Sequence, residues 1–423
     1  MQSVRVLIVS ENISMRMGGE SSLPFYYAKI FLERGAEVWL VCHERVEKEL
    51  RAAFPELEPR MQFVRDTRAQ KTVYRFSQTL PYRIRDMFIG QAIHFSTQKR
   101  IRKIAIMLAS SGKIDVLFEP SPITPKGLSF MYDVGVPVVI GPLCGGMNFP
   151  PAFADLDSIV TRISTVLGRY ISQCANLLIP GKLKADVLLA ANPWTVEALP
   201  RGYNGQVIRL FESGVDLDLW KPSETIATRN DGSVHFAFSG RFVDWKGIQY
   251  LLPAFAKAVD QEPSCRLHLI GGGELEGEVR AMIERHNLTE TVFLHGWVNR
   301  QEAAHIIREA DVFVMPSLRE CGGTAILEAL ALGKPVVATN WGGPSDYVDP
   351  SCGILVDPTS KAGFIDGLAE AMVSLARSPE LRRSLGEAGK MRVRRDDLDW
   401  NSKADRLLSI LSEVADRHRN ATQ

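Results

Sequence analysis

Ser317–Leu330 reads SLRECGGTAILEAL and follows a strand-like run, DVFVM at Asp311–Met315, that stops at Pro316. A short turn carries Glu320, Cys321, Gly322 and Gly323, and an apolar run with helical spacing begins at Thr324 and carries Glu328. Two carboxylates eight residues apart thus bracket a glycine-rich turn that opens a helix. The first N–H groups of a helix lack intrahelical partners and sit at the positive end of its dipole, which suits a phosphate or a developing oxyanion. Carboxylates accept hydrogen bonds from hydroxyls, so a site with both features suits a sugar attached to a diphosphate. An isolated pair of glutamates is more commonly a loop residue and a solvated helix residue. Glu328, however, lies among Ile326, Leu327, Ala329 and Leu330 in a helix apolar nearly all round, which predicts a buried and partnered carboxylate.

Outward from this stretch, the 423 residues are too many for one ordinary core, so two domains are expected. The apolar and charged fractions, 45% and 23%, are those of a soluble globular protein. The formal net charge of +1 points to no polyanionic partner such as nucleic acid. Six cysteines, at 42, 144, 174, 265, 321 and 352, have no ligand-like spacing, so reduced thiols in a cytoplasmic protein and no metal site are expected. The opening SVRVLIVS is a strand pattern rather than a cleavable leader, and no run reaches the ~20 apolar residues of a spanning helix.

Val4–Val9 is a β-branched run of the kind buried on both faces of a parallel sheet. A polar loop with Gly18-Gly19, a helix over about Leu23–Arg34 capped by Gly35, and a strand at Glu37–Val41 complete a βαβ unit. The loop lacks G-x-G-x-x-G, which disfavours a nicotinamide-dinucleotide domain. Further strands are predicted at Asp115–Phe118, before Glu119-Pro120-Ser121-Pro122, at Val136–Ile140 and at Asn176–Ile179, with a helix over Lys182–Ala190. Gly145, Gly146 and Asn148 follow a strand and are cleft candidates. Arg65–Lys103 is markedly basic with interleaved Phe76, Tyr82, Phe88, Ile89 and Phe95, and a helix is predicted over Asp86–Ala109. Such a stretch suits an anionic membrane surface, although the solvated face of a helix is the commoner case.

Residues 211–232 break the rhythm and read as a linker. Alternation resumes with strands at Val234–Ser239, Leu267–Ile270, Val292–Leu294, Val312–Met315 and Val336–Ala338. Pro253, within a helix predicted over Gly247–Val259, implies a kink or a late start. Closing helices are expected at Lys361–Arg377, Pro379–Ala388 and Asn401–Arg417. Residues 1–210 and 233–395 are therefore expected to form two α/β, Rossmann-like, doubly wound parallel-sheet domains facing each other across a cleft, with 396–423 as a closing helical segment. Three loops of the second domain should meet at one sheet edge: SGRFVDWKG with Arg241 and Lys246, the run Gly271–Gly273, and the Glu320–Glu328 turn. Arginine matches phosphate oxygens with a fork of donors and lysine adds a mobile charge. As lone surface ion-pair members both would contribute little.

Together these segments resemble the retaining glycosyltransferases of family 4. Glu320–Glu328 fits that family's E-x7-E signature, and SGRFVDWKG (Ser239–Gly247) its G-R-L-x-x-x-K-G segment. LIGGG (Leu269–Gly273), FLHGWV (Phe293–Val298) and GKPVVATNWGGPSDYV (Gly333–Val348) are similar to its later strand ends, and GVDLDLWKP (Gly214–Pro222) to its interdomain connection. The resemblance covers the second half of the chain; the first half is similar in architecture and in its Gly18-Gly19 loop. It implies the GT-B fold and a metal-independent, retaining transfer of a hexosyl group from a nucleotide-diphosphate sugar to an acceptor hydroxyl, without a cofactor. The acceptor would be a carbohydrate, a glycolipid or a small hydroxyl compound, in polysaccharide or glycolipid synthesis.

Residue by residue, the resemblance implies catalytic roles for Arg241 and Lys246 on the diphosphate and for Glu320 on the donor-sugar hydroxyls. The backbone at Gly322, Gly323 and Thr324 would hold sugar or phosphate, Glu328 the ribose hydroxyls, and Val298 the base. Gly271 and Gly272 would line the donor site and Gly18 and Gly19 would approach the phosphates from the first domain. Closing residues 396–423 would cross back to the first domain. The usual E-G-F-G is here Glu320-Cys321-Gly322-Gly323, and no histidine stands in Gly141–Gly146, where many members carry one near the reacting sugar. A nucleotide-sugar epimerase on the same fold and a non-catalytic carbohydrate- or nucleotide-binding protein are the alternative readings.

Overall fold

The computed structural model describes residues 4–77, 91–157, 159–222 and 231–422. The chain falls into two compact units: Met1–Gly145 with Val166–Glu212 and Ala404–Gln423, and Gly146–Thr165 with Ser213–Lys403. Gly146–Thr165 thus belong to the second unit although they lie among the first 210 residues.

The first unit holds a seven-stranded parallel sheet in the order β3-β2-β1-β4-β5-β6-β7. Its strands are β1 (Arg5–Val9), β2 (Glu37–His43), β3 (Met61–Val64), β4 (Val116–Glu119), β5 (Val138–Leu143), β6 (Val187–Ala190) and β7 (Gln206–Arg209). The central strands are buried along almost their whole length, because helices cover both faces of a doubly wound sheet. Leu7, Val9, Val41, Leu117, Ile140 and Leu188 form one core against Ile101, Ala105 and Leu108 of the helix Gln91–Ser110.

The second unit holds a six-stranded parallel sheet in the order β10-β9-β8-β11-β12-β13. Its strands are β8 (Val234–Ser239), β9 (Cys265–Ile270), β10 (Val292–Gly296), β11 (Val312–Met315), β12 (Val336–Thr339) and β13 (Gly353–Val356). The chain winds outward from β8 to β10, then returns to β11 and winds the other way. The reversal leaves a crevice beyond the C-terminal ends of β8 and β11, where open α/β sheets bind ligands. The same reversal in the first unit falls between β1 and β4.

Several sequence-based expectations are corrected. Asn176–Ile179 is not a strand; it ends the helix Ile159–Leu178. A four-residue apolar run carries no period that separates strand from helix end. Lys182–Ala190 is not one helix. A single turn, Gly181–Lys184, precedes β6, whose residues VLLA are all buried in the sheet, so tertiary burial overrides the helix propensity of Leu and Ala. The helix Ile248–Gln261 runs through Pro253 without a late start. The proposed linker is ordered over its first part: Val215 bridges to Asp399, and Trp220 is buried. Its remainder, 223–230, lies outside the described residues, as do Tyr82, Arg83, Arg85, Asp86, Phe88 and Ile89 of the basic stretch and the side chains of Arg75 and Phe76.

Candidate active site

In the second unit the loops after β8, β9, β11 and β12 are stitched to one another by backbone hydrogen bonds. Gly240 N–H donates to the Ile270 carbonyl at 3.0 Å, and Phe242 N–H to the Gly272 carbonyl at 2.9 Å. Leu318 N–H donates to the Trp245 carbonyl at 2.8 Å, and Gly343 N–H to the Glu320 carbonyl at 2.8 Å. Close approach explains a key glycine: Gly271 has φ +122°, and a Cβ there would fall on the Gly240 carbonyl oxygen.

This stitching brings Lys246 and Glu320, 74 residues apart, into a direct ion pair between Nζ and Oε2. Their side chains are 18% and 19% exposed, so the pair is largely desolvated yet open to the crevice. Arg241 lies on the same loop as Lys246; its guanidinium makes a looser 3.3 Å contact with Glu274, both being exposed. Two cations and a carboxylate therefore stand at the reversal point between β8 and β11. The helix Thr324–Ala331 starts there with Gly323 (φ +126°) at its N-cap and no side-chain cap, so its first amides are open to a ligand oxygen. Thr324 Oγ1 lies 3.1 Å from Ser213 Oγ.

Glu328 is half-buried on that helix, with Leu327 and Ala329 fully buried beside it. Burial pushes its carboxyl up to about 7, against a pull downward from Arg300. A carboxylate held so close to neutrality suits a hydrogen-bond partner that arrives with the ligand. Gly271 and Gly272 are buried in the loop after β9, and Val298 is half-buried after β10. Sequence reasoning missed Trp297: its ring is 70% exposed at the C-terminal end of β10, beside Gly272. A large apolar side chain in a post-strand loop was the available signal.

Gly18 and Gly19 are exposed in the loop after β1 of the first unit, at φ +67° and +49°. Gly145 also belongs to the first unit, where its N–H donates to Thr195 Oγ1 at 3.2 Å. Gly146 and Asn148 belong to the second, where Asn148 accepts from Trp341 Nε1 at 3.0 Å.

The first unit carries a cavity of about 1240 Å³ at the C-terminal ends of its strands, lined from the loops after β1, β2, β3 and β4 and from the helix Gln91–Ser110. Glu11 Oε2 meets His94 Nδ1 at 2.5 Å and Glu11 Oε1 meets Arg45 at 2.9 Å. Burial raises the Glu11 carboxyl, but His94 and Arg45 more than offset this and hold it below the usual range. Two lining residues, Asn12 and Gln98, each carry a buried side-chain oxygen, Oδ1 and Oε1, without a hydrogen-bond partner. Such atoms are costly to leave unmet and mark where a donor-bearing ligand would settle. Beyond the wall, Glu119 at the end of β4 accepts from Ser129, and burial raises it to about 7. Buried Lys182 donates to the Thr124 and Pro125 carbonyls at 2.7 and 3.1 Å and is lowered to about 7 by burial. None of these was singled out from the sequence, because they converge from elements far apart in the chain. Among the described residues no cluster of three or more His, Cys, Asp or Glu side chains has metal-binding geometry.

Residues 224–392, which lie within the second unit, match the family described as glycosyl transferases group 1. The chain is 32% identical over 246 residues to a D-inositol 3-phosphate glycosyltransferase of Arthrobacter sp. (strain FB24), covering 55% of this chain and 57% of that protein. It is 27% identical over 244 residues to a GDP-mannose-dependent monoacylated alpha-(1-6)-phosphatidylinositol monomannoside mannosyltransferase of Corynebacterium glutamicum, covering 54% and 62%. The match thus spans little more than half the length of these relatives. Over the whole chain the fold is shared with a glycosyltransferase from Rickettsia africae (TM-score 0.64, 15% identity, 98% and 99% covered). It is shared equally with HepE of Anabaena, solved with UDP (TM-score 0.64, 15% identity, 97% and 100% covered). The fold is therefore GT-B, with two Rossmann-like α/β units.

Proposed function

We propose that this protein is a retaining, metal-independent glycosyltransferase that moves a hexosyl group from a nucleotide-diphosphate sugar to an acceptor hydroxyl. The observation that carries the reading is the Lys246–Glu320 pair, with Arg241 on the same loop, at the reversal point of a group 1 domain. The glycosidic C–O bond to the diphosphate breaks while the acceptor oxygen bonds to the anomeric carbon on the same face. The acceptor proton passes to the departing phosphate oxygen, so no protein base is required. Lys246 and Arg241 neutralise the charge that grows on the diphosphate, a fixed electrostatic contribution made without a metal ion. Glu320, released from Lys246 as the phosphate takes over that cation, accepts from hydroxyls of the donor sugar. The open amides at Gly323 and Thr324 hold sugar or phosphate, and Glu328 accepts from the ribose. The base lies against Val298, with the exposed ring of Trp297 as a stacking face.

The acceptor belongs in the cavity of the first unit, whose lining residues Asn12 and Gln98 carry unmet acceptor oxygens that suit a hydroxyl-rich molecule. The relatives act on inositol phosphate and on a phosphatidylinositol mannoside, as their names state, and this supports a carbohydrate or glycolipid acceptor for this chain. Cytoplasmic synthesis of a polysaccharide or glycolipid is the setting that fits. The test is a screen of UDP-, GDP- and ADP-sugars with a mixed panel of hydroxyl acceptors, in the presence of EDTA. Glycosylated product retaining the donor's anomeric configuration supports the reading. A converted nucleotide sugar without acceptor, or binding with no turnover on any acceptor, refutes it.

A further inference from the structure

One chain of hydrogen bonds runs along the first-unit cavity, from the loop after β3 to the helix Gln91–Ser110. Arg45, in the turn after β2, donates from its backbone N–H and from Nε to His43 Nδ1, at 3.2 and 3.0 Å. His43 is therefore neutral, with its proton on Nε2, which meets Asp66 Oδ1 at 3.2 Å. The same guanidinium donates from Nη2 to Glu11 Oε1 at 2.9 Å, and Glu11 Oε2 meets His94 Nδ1 at 2.5 Å. Burial works against the Glu11 charge, but the hydrogen bond from His94 and the charge of Arg45 hold its carboxyl below the usual range. An ionised carboxylate only accepts, so the proton of this contact sits on His94 Nδ1. Every ring nitrogen of the chain then has a partner except His94 Nε2, which among the described residues has none.

His94 lines the cavity, and its side chain is 29% exposed. With Nδ1 locked on a carboxylate the ring is held in one tautomer and one orientation, and the neutral ring keeps a lone pair on Nε2. Gln98 lies one turn further along the same helix, and Asn12 follows Glu11 in the chain. Both line the cavity and carry unmet oxygens. Three groups that accept hydrogen bonds suit a ligand that offers several hydroxyl donors. We propose, resting on the transferase reading, that His94, oriented by Glu11, binds the acceptor: its Nε2 takes a hydrogen bond from a hydroxyl of a sugar or cyclitol in the first-unit cavity. This hydroxyl is a neighbour of the one that attacks, whose proton leaves on the departing phosphate, so His94 does no base chemistry. Glu11 and Arg45 act through His94 as positioning residues.

Two substitutions separate this role from a structural one. In His94→Asn the side-chain amide replaces Nδ1–H toward Glu11 and leaves the Nε2 position empty. In His94→Gln an amide oxygen reaches the Nε2 position. Wild type and both variants, each confirmed folded by its melting curve, are compared in KM for donor and acceptor. They are also titrated with methyl α-D-glucopyranoside, methyl α-D-mannopyranoside and myo-inositol, followed by ligand-observed NMR. His94→Asn should raise the acceptor KM and weaken probe binding about tenfold, the donor KM staying within about threefold, and His94→Gln should recover part of the loss. An asparagine variant that matches wild type, or donor and acceptor KM rising together, overturns the proposal and leaves the transferase reading in place. Probe binding that depends on His94, in a protein that transfers to no acceptor, supports the site and refutes the transferase reading. Wild type that binds no probe and transfers to no acceptor overturns both.

Discussion

Replacing Lys246 by alanine separates a catalytic cation from a structural ion pair. The lysine sits between Glu320 and the place assigned to the leaving diphosphate, and only 18% of its side chain meets solvent. A unit charge about 4 Å from a partner at an effective dielectric near 20 interacts by about 4 kcal/mol. Removing one preorganised donor from a developing oxyanion costs roughly 2.7–4 kcal/mol, or about 100- to 1000-fold in kcat. The folding cost lies between about 1 kcal/mol for an exposed pair and roughly 3–5 kcal/mol for a fully buried one. Rates of nucleoside diphosphate release at saturating donor and acceptor, beside a thermal melt, read both quantities on one preparation. Lys246→Ala should fall at least about 100-fold in kcat, with Lys246→Arg recovering part of the loss because charge is kept and geometry is not. A variant that melts earlier but turns over within threefold of wild type would show the pair to be structural and refute the phosphate assignment.

Glu328→Gln keeps an acceptor oxygen and removes the titration, so KM for the donor should rise on the order of tenfold with kcat nearly unchanged. Its stability effect has a definite sign. The folded carboxyl, near 7, holds a proton that the unfolded chain has lost above about 4.5, so wild-type stability falls as pH rises across that window. Melting curves from pH 5 to about 8 should be flatter for Glu328→Gln by up to about 3 kcal/mol in wild-type-minus-variant stability; parallel curves would contradict it. Lys182→Ala leaves the Thr124 and Pro125 carbonyls unmet and Glu119 without its nearby cation, so chemical denaturation should show a loss of about 3–5 kcal/mol. Gln98→Leu removes an unmet buried acceptor, so its melting temperature should hold or rise while KM for the acceptor increases. A lowered melting temperature with unchanged KM would make Gln98 purely structural.

The second unit is far more legible in the sequence than the first. β11 and β12 are β-branched or apolar runs and β8 and β9 place apolar residues at alternate positions; all four end in glycine- or proline-containing loops, and those after β8, β9 and β11 carry their chemistry close to the strand that positions them. Lys246 and Glu320 could be assigned to one site because both follow central parallel strands, whose ends converge by topology. The strands that were missed have weak signals. β7 (QVIR) is an edge strand with mostly exposed side chains, and β3 and β13 have only four residues each. Asn176–Ile179 misled because a short apolar run lacks a period, and its leucines point outward, a pattern only the folded surface shows. The first-unit cavity was invisible for a different reason. Glu11, Arg45, Asp66, Gln98 and Ser121 meet only after five elements assemble, and none lies within a motif.

On the proposed reading, the crevice between β8 and β11 holds the donor diphosphate. A crystal structure with a bound nucleoside diphosphate tests it most directly. The expected result is phosphate oxygens within hydrogen-bond reach of Lys246 Nζ and the Arg241 guanidinium, ribose hydroxyls on Glu328, and Glu320 free to meet a sugar. A diphosphate seated elsewhere, with Lys246 still paired to Glu320, would contradict it.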